Sequence, residues 1–258
     1  MLRIYNSFFD LKFINFIFLV IIDEVVTDFS WAAINALCRS FNNIDIRKYI
    51  DECFEITAHG DISKLASLTI IRLCSSHNAK NMKDDIFRLF DKKESYYIAG
   101  IIGGILELSN FDELDSYLKN FLSILMTKNE TSTTKRIHEL LQKFAETDEY
   151  HDDVKNNMNP CPVVEFEEFE TIYKNSKFFQ LYDNYLRSNK DIESGKVANK
   201  YYNPSFAALF LKKYVAFIPF WTGLLTSIRF KNMKNANNGI IEGEHETFFN
   251  FSLLINFL

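Results

Sequence analysis

Glycine and proline are scarce in this sequence, with 8 Gly and 4 Pro among 258 residues. A β-sandwich or barrel needs a turn roughly every 8–12 residues, and Gly and Pro are the residues that most often make such turns. We therefore expect a mainly helical chain. Cysteine is scarce as well. The chain has four cysteines, which are too few and too irregularly spaced for a disulfide framework: Cys38, Cys53, Cys74 and Cys161. This usage favours a reducing compartment.

Long apolar runs are also missing near the start of the chain. The most apolar stretch there, residues 13–22 (FINFIFLVII), is about half the ~20 residues that a membrane helix needs. Acidic residues flank it at Asp10 and Asp23, and no small-residue cleavage pattern follows, so we interpret it as a core segment rather than a secretory signal. We expect no membrane partner and a nuclear or cytoplasmic, non-secreted protein. A membrane-associated or secreted protein with a functional first 22 residues is the alternative.

The charge of the chain is uneven along its length. The overall charge of −5 excludes a protein whose whole surface neutralises DNA phosphates. Residues 144–170 form an acidic connector with nine carboxylates and one lysine, whereas residues 196–234 hold seven cations and no carboxylate. Any nucleic-acid site must therefore be local, and the basic stretch is where we expect it. Solvated helix charges are the alternative explanation of that stretch.

Hydrophobic spacing predicts strand, helix, helix, strand, helix over residues 22–92. Ser30 and Asp45 are placed to cap the first two helices, and Gly60 interrupts the pattern after the second. From residue 95 to 147 the three- and four-residue spacing is helical throughout, with a break or a close helix contact expected at Gly103-Gly104. A further helix is expected to start near Pro204 and to end at Pro219.

Three places carry residue types that suit chemistry. Asp28 follows the first predicted strand, where open α/β sheets place ligand groups, although it would equally serve as a helix cap. Cys74 and His77 form a C-x-x-H pair, which cannot close a four-ligand zinc site alone. Glu242 follows an Asn-rich turn, where acidic residues are also common simply because they favour helix N-termini.

Together these places resemble a known family. The string VVTDFSWAAINALCRSFNNIDIRKYI followed by LTIIRLCSSHNAKN is similar to the core of Mutator-like (MULE) transposases, especially the transposon-derived proteins of insect and fish genomes. The later strings KKYVAFIPFWTGLL and NANNGIIEGEHETFF look like the aromatic segment and the turn before the last acid of the same proteins. The resemblance covers about residues 22–92 and 203–250.

The resemblance implies an RNase H-like core in which acids hold two divalent metals for phosphoryl transfer. Asp28 matches the second acid, Glu242 the last one, and Cys74 with His77 the family's C-x-x-H signature. Both acids would be catalytic and would ligate Mg²⁺ or Mn²⁺ if the protein is active. The basic stretch would be a DNA-facing strip. Its members are Lys212, Lys213, Arg229, Lys231 and Lys234.

The sequence departs from the family pattern at the start of that core. The family's first acid lies on an upstream strand, and only Asp10 and Asp23 precede Asp28 without the expected spacing around them. We therefore expect the first three strands to be absent and little or no strand-transfer activity. The expected fold class is mainly α with a reduced α/β, partial RNase H-like core. Its parts would be an apolar segment (1–21), the partial core (22–92), a helical insertion with the acidic connector (93–202) and a C-terminal helical part (203–258).

Two functions follow from this sequence. The first is a transposase-derived protein, a catalytically inactive remnant with a degenerate active site, whose partner would be weakly bound DNA. The second is a helical protein-interaction module without enzymatic activity, whose protein partner the sequence does not identify.

Overall fold

A computed structural model describes residues 3–5, 23–27, 30–145, 167–188 and 196–229. These residues are mainly helical, which confirms the predicted mainly α class. The strands are β1 (Arg3–Tyr5), β2 (Glu24–Thr27), β3 (Ile70–Leu73), β4 (Asn129–Glu130) and β5 (Val197–Ala198). The helices are α1 (Trp31–Asn42), α2 (Ile46–His59), α3 (Ile62–Leu65), α4 (Ser75–Leu89), α5 (Lys92–Glu107), α6 (Phe111–Met126), α7 (Ser132–Ala145), α8 (Glu167–Asn175), α9 (Lys177–Ser188), α10 (Pro204–Lys213) and α11 (Ile218–Trp221).

The larger sheet has three short strands in the order β1-β2-β3. Strand β1 is antiparallel to β2, and β2 is parallel to β3, with Glu24 opposite Ile70 and Thr27 opposite Leu73. The two parallel strands are joined through α1, α2 and the short α3, and α4 follows directly. The predicted element order for residues 22–92 is thus confirmed, with α3 as an unpredicted addition.

Local capping explains where the first helices begin and end. The Ser30 hydroxyl accepts a hydrogen bond from the first turn of α1, and the Asp45 carboxylate does the same for α2. Asn43 and Gly60 follow these helices in the left-handed conformation, with φ of 55° and 71°. Asn and Gly are the residues that adopt this conformation at least cost, so both helices stop at these positions, and α2 ends at the Gly60 that the sequence predicts.

Side chains from α1 and α2 close the outer edge of β3. The Asn42 carboxamide donates to the Thr69 carbonyl at 3.0 Å and accepts from the Thr69 N–H at 2.6 Å. One pleat further on, the Tyr49 hydroxyl accepts from the Ile71 N–H at 2.8 Å. Backbone groups that a neighbouring strand would otherwise satisfy are therefore satisfied by an amide and a phenol.

The long helical region differs from the prediction at two points. Helix α5 continues through Gly103 and Gly104, so the helix has no break there. It packs extensively against α7, and the close helix contact at the two glycines stays a prediction. The prediction missed β4 and β5, which form a two-residue antiparallel ladder.

Segment 204–229 forms the centre of the core. Pro204 opens α10 as predicted, with the Asn203 side chain as its cap. The chain then passes through a 3₁₀ turn (Val215–Phe217) into α11, so the prediction that Pro219 ends a helix is wrong: Pro219 lies in the first turn of α11. Among the described residues, Pro204–Arg229 is the one stretch long and apolar enough to cross a membrane, and 78% of its most apolar window is buried inside the protein, as in a core segment.

Candidate functional site

The parallel strands β2 and β3 end at one edge of the sheet, where α4 begins. The Cys74 N–H donates to the Thr27 carbonyl at 2.7 Å, so the residue that leaves β3 is tied to the last residue of β2. In α/β sheets this carboxyl edge is where ligand groups gather. The start of α4 adds the partial positive charge of a helix N-terminus to the same edge.

The two acids predicted as catalytic and metal-binding lie outside the described residues. Asp28 comes directly after Thr27 in the chain, and Glu242 falls in the C-terminal segment beyond residue 229. The predicted convergence of these two carboxylates therefore stays a prediction.

The C-x-x-H pair spans the start of α4. Cys74 is the half-buried N-cap residue of the helix, and its side chain does not accept a capping hydrogen bond. His77 is in the first turn, three residues on, and only its backbone belongs to the described part. Throughout the described residues, no three His, Cys, Asp or Glu side chains lie close enough to hold a metal ion together.

The described donors at this edge do not fit Mg²⁺ or Mn²⁺ by themselves. They are the hydroxyl of Thr27, the thiol of Cys74 and the carboxamide of Asn78, whereas a hard divalent cation prefers carboxylate oxygens. A metal site here would depend on Asp28 and Glu242.

Asn78 is a residue at this edge that the sequence analysis missed. It is 2% exposed, and its Nδ2 makes a long contact of 4.0 Å with the Met82 sulfur. Its Oδ1 is shielded from solvent and has no hydrogen-bond partner among the described residues. Burying such an acceptor is costly. The sequence does contain a signal for its burial: Asn78 is spaced four and eight residues from Met82 and Ile86, so it lies on the same apolar helix face.

Of the predicted DNA-binding cations, Lys212 is exposed and Lys213 is engaged inside the protein. The Lys212 ammonium lies 5.7 Å from the centre of the Tyr173 ring, a cation–π distance that leaves it accessible to solvent. The Lys213 ammonium instead pairs with the Asp85 carboxylate at 2.7 Å, with side chains only 16% and 7% exposed. Lys231 and Lys234 lie outside the described residues.

Asp85, itself nearly buried, is the centre of a network that connects α4 to α10. One of its oxygens accepts from Lys213 and from the Tyr214 hydroxyl, both at 2.7 Å, and the other accepts from Arg88 at 2.9 Å. Burial, reinforced by the Asp85 charge, raises the pKa of Tyr214 far above its usual value, so the phenol stays a donor. Each oxygen of the carboxylate is paired, which suits a structural role.

Arg229 is also turned into the protein. Its guanidinium donates to the carbonyls of Asp23 at 2.5 Å, Leu65 at 2.6 Å and Leu68, and it lies 3.5 Å from the Asp23 carboxylate. Burial lowers its pKa from the ordinary value, but an arginine remains charged. The side chain thereby joins the C-terminal helical segment to the start of β2 and to the loop before β3.

An open cleft of about 360 Å³ lies on another part of the surface, between the end of α4, the start of α5 and the turn before α10. Its charged lining consists of two cations, Arg88 and Lys200, and two carboxylates, Asp91 and Glu94. Opposite charges in equal number give the cleft no net preference for an anionic or a cationic ligand.

The described residues form a mainly α protein with a small mixed sheet, and the candidate site lies at the carboxyl edge of its two parallel strands. Comparisons with protein-family models, with curated proteins and with solved structures find no match.

Proposed function

We propose that this chain derives from a Mutator-like transposase and retains part of an RNase H-like core without strand-transfer activity. The observation that carries the proposal is the parallel pairing of β2 and β3 through an intervening helix pair. It brings the C-x-x-H motif to the edge at which the chain leaves β2 towards Asp28. The C-x-x-H motif and the strand end that precedes Asp28 in the sequence thus lie at one edge of one sheet, which supports the proposal.

The absence of activity is inferred from the strand beside β2. A two-metal site needs carboxylates from separate elements that converge at one place. Strand β1 runs antiparallel to β2, so its carboxyl end lies at the opposite edge, and its residues are Arg3, Ile4 and Tyr5. Strand β1 therefore supplies no carboxylate to the edge at which β2 ends. Two divalent metal ions at that edge would have too little negative charge around them.

Weak DNA contact is the remaining function in this proposal. Lys213 and Arg229 are held by intramolecular bonds, so the contact would rely on Lys212 with Lys231 and Lys234. Cations of this kind neutralise phosphates without reading bases. Binding should therefore be independent of sequence and strongly dependent on salt.

A salt titration of the full chain on a fluorescent DNA duplex tests the contact. Each neutralised phosphate contributes about 0.9 to the slope of log affinity against log salt, so Lys212→Ala should lower that slope by about 1. Lys135→Ala removes an exposed lysine of α7 outside the basic stretch and should leave the slope unchanged. Absence of binding at low salt would remove DNA contact from the proposal.

A cleavage and strand-transfer assay with Mg²⁺ or Mn²⁺ tests the loss of activity. We expect no metal-dependent product from the full chain and no difference between it and the Asp28→Asn variant. Metal-dependent nicking that Asp28→Asn abolishes would contradict the inactive state, although it would support the assignment of that acid. Nicking that survives the substitution would point to a contaminant and leave the inactive state standing.

A further inference from the structure

The open cleft between the end of α4, the start of α5 and the turn before α10 has walls that are bonded to one another. The Asn203 carboxamide donates to the Leu89 carbonyl at 2.7 Å and accepts from the Phe206 N–H at 2.9 Å. The Asn203 N–H donates to the Leu125 carbonyl at 2.9 Å. These bonds hold the turn against α4 and α6, so the cleft is a preformed feature of the fold, as ligand sites usually are.

Three side chains of this cleft have polar groups without a partner among the described residues. The Tyr202 side chain lines the cleft and is 41% exposed, and its hydroxyl makes no hydrogen bond there. Asp91 precedes α5 as its N-cap, but its carboxylate accepts no capping bond. The Glu94 carboxylate, in the first turn of α5, makes no ion pair or hydrogen bond in the described part of the chain. The cleft therefore presents an aromatic ring beside two uncommitted acceptors.

The two cations of the cleft keep donors for an external ligand. One nitrogen of the Arg88 guanidinium donates to Asp85 at 2.9 Å, yet the Arg88 side chain is 58% exposed. The Lys200 ammonium lies 4.8 Å from the centre of the Tyr201 ring and is exposed to solvent. Both can therefore bind an anionic group that enters the cleft.

The charges balance, so the ligand class follows from the combination of groups. A nucleotide uses all of them. Its phosphate binds Lys and Arg, its base stacks on an aromatic ring, and carboxylates accept from the exocyclic amino group of cytosine, adenine or guanine. A zwitterion without a ring would match the charges but leave Tyr202 unused. In a duplex each base is already stacked between its neighbours, so the ligand must be unpaired.

We propose that this cleft binds an unpaired nucleotide of single-stranded DNA whose base carries an amino group. The base lies against Tyr202, its amino group donates to Asp91 or Glu94, and the phosphate is at Lys200 and Arg88. The choice of DNA over RNA rests on the proposed transposase origin. The site is separate from the duplex contact assigned to Lys212.

Fluorescence anisotropy of the full chain with labelled single strands of about 12 nucleotides tests the cleft. At low salt, oligodeoxycytidine should bind about five- to tenfold more tightly than oligothymidine, which has no amino group. Tyr202→Ala should weaken binding of oligodeoxycytidine by at least about fivefold, whereas Tyr202→Phe keeps the ring and should retain it. Ile62→Ala, at a similarly exposed position on α3, should have no effect.

A double variant tests the two carboxylates. Asp91→Asn combined with Glu94→Gln keeps the shape of both side chains, but carboxamides donate as well as accept and can also bind the O4 of thymine. The ratio of the two affinities should therefore fall to about one in this variant. A ratio that is unchanged would contradict the assigned role of the carboxylates.

The outcomes separate this site from the proposed function. Equal affinity of the wild type for the two strands, or unchanged binding in a folded Tyr202→Ala, would overturn the cleft, and tighter binding of oligocytidine RNA would overturn the choice of DNA. If Tyr202→Ala does not fold, the comparison of strands on the wild type still decides. Lys212→Ala should lower the duplex salt slope without changing the ratio of strand affinities, and Tyr202→Ala should leave that slope unchanged. Either contact can therefore fail without the other.

Discussion

Replacing Arg229 by methionine removes a guanidinium that donates to three backbone carbonyls. Two of these carbonyls keep another donor, because Asp23 also accepts from the Ile70 N–H at 2.8 Å and Leu65 from the Leu68 N–H at 3.2 Å. The Leu68 carbonyl loses the only donor described for it. An acceptor left unpaired in this way costs about 1–3 kcal/mol.

The other consequences of this substitution are smaller. The Asp23 carboxylate loses an ion pair at 3.5 Å, but its side chain is 25% exposed and water replaces part of that interaction. Methionine keeps the apolar stem and avoids the desolvation of a guanidinium. We therefore expect a loss of about 2–3 kcal/mol, which corresponds to roughly 5–10 °C in the thermal midpoint for a chain of this size.

Thermal and urea unfolding followed by circular dichroism measure this loss. Arg229→Lys should fall between wild type and Arg229→Met, because an ammonium keeps the charge but not the fork that reaches several carbonyls. Lys212→Met, at an exposed position, should change stability by no more than about 0.5 kcal/mol. If Arg229→Met is as stable as wild type and instead weakens DNA binding, the side chain serves DNA and the structural argument fails.

Three further predictions follow from the described contacts. Asn42→Ala should cost about 1–3 kcal/mol in urea unfolding by removing the partner of the N–H and the carbonyl of Thr69, directly before β3, whereas Asn43→Gly, at a left-handed position, should change stability by only a few tenths. Asp85→Asn should cost about 2–4 kcal/mol because it leaves a nearly buried ammonium without its counter-charge, and equal stability would contradict the network. Burial raises the pKa of Cys38 to about 12 and that of Cys53 well above its usual value, so mass spectrometry should find both thiols unalkylated at pH 8 until urea unfolds the chain. Rapid labelling in the native protein would contradict their burial.

Local signals in the sequence account for much of the first half of the fold. Capping residues and hydrophobic spacing are read within a few neighbours, which is why Ser30, Asp45 and Gly60 mark the correct ends of α1 and α2. The mainly α class follows from the shortage of turn residues. The glycines of α5 show the limit of such rules, since the helix continues through both of them despite a cost of about 1 kcal/mol each.

The site residues were harder to predict because their roles depend on distant parts of the chain. Lys213 and Arg229 were expected to face DNA, since a run of cations without carboxylates is normally solvent-exposed. Their actual partners, Asp85 and the carbonyls near β2 and β3, are far away in sequence. The local composition does not distinguish these two cations, which bind groups inside the protein, from Lys212, which is exposed. The predicted roles of Asp28 and Glu242 stay predictions.

The side-chain covering of β3 has a consequence for how this protein meets other polypeptides. Asn42 and Tyr49 occupy the positions at which an incoming extended segment would have to make its ladder. Such a segment can form ladder hydrogen bonds with Thr69 and Ile71 only after it displaces the Asn42 carboxamide and the Tyr49 hydroxyl, which already bond these backbone groups. The strand therefore resists recruitment into edge-to-edge aggregates, although no further strand of the described residues pairs with this edge. Loss of either side chain should show first as reduced solubility at high concentration.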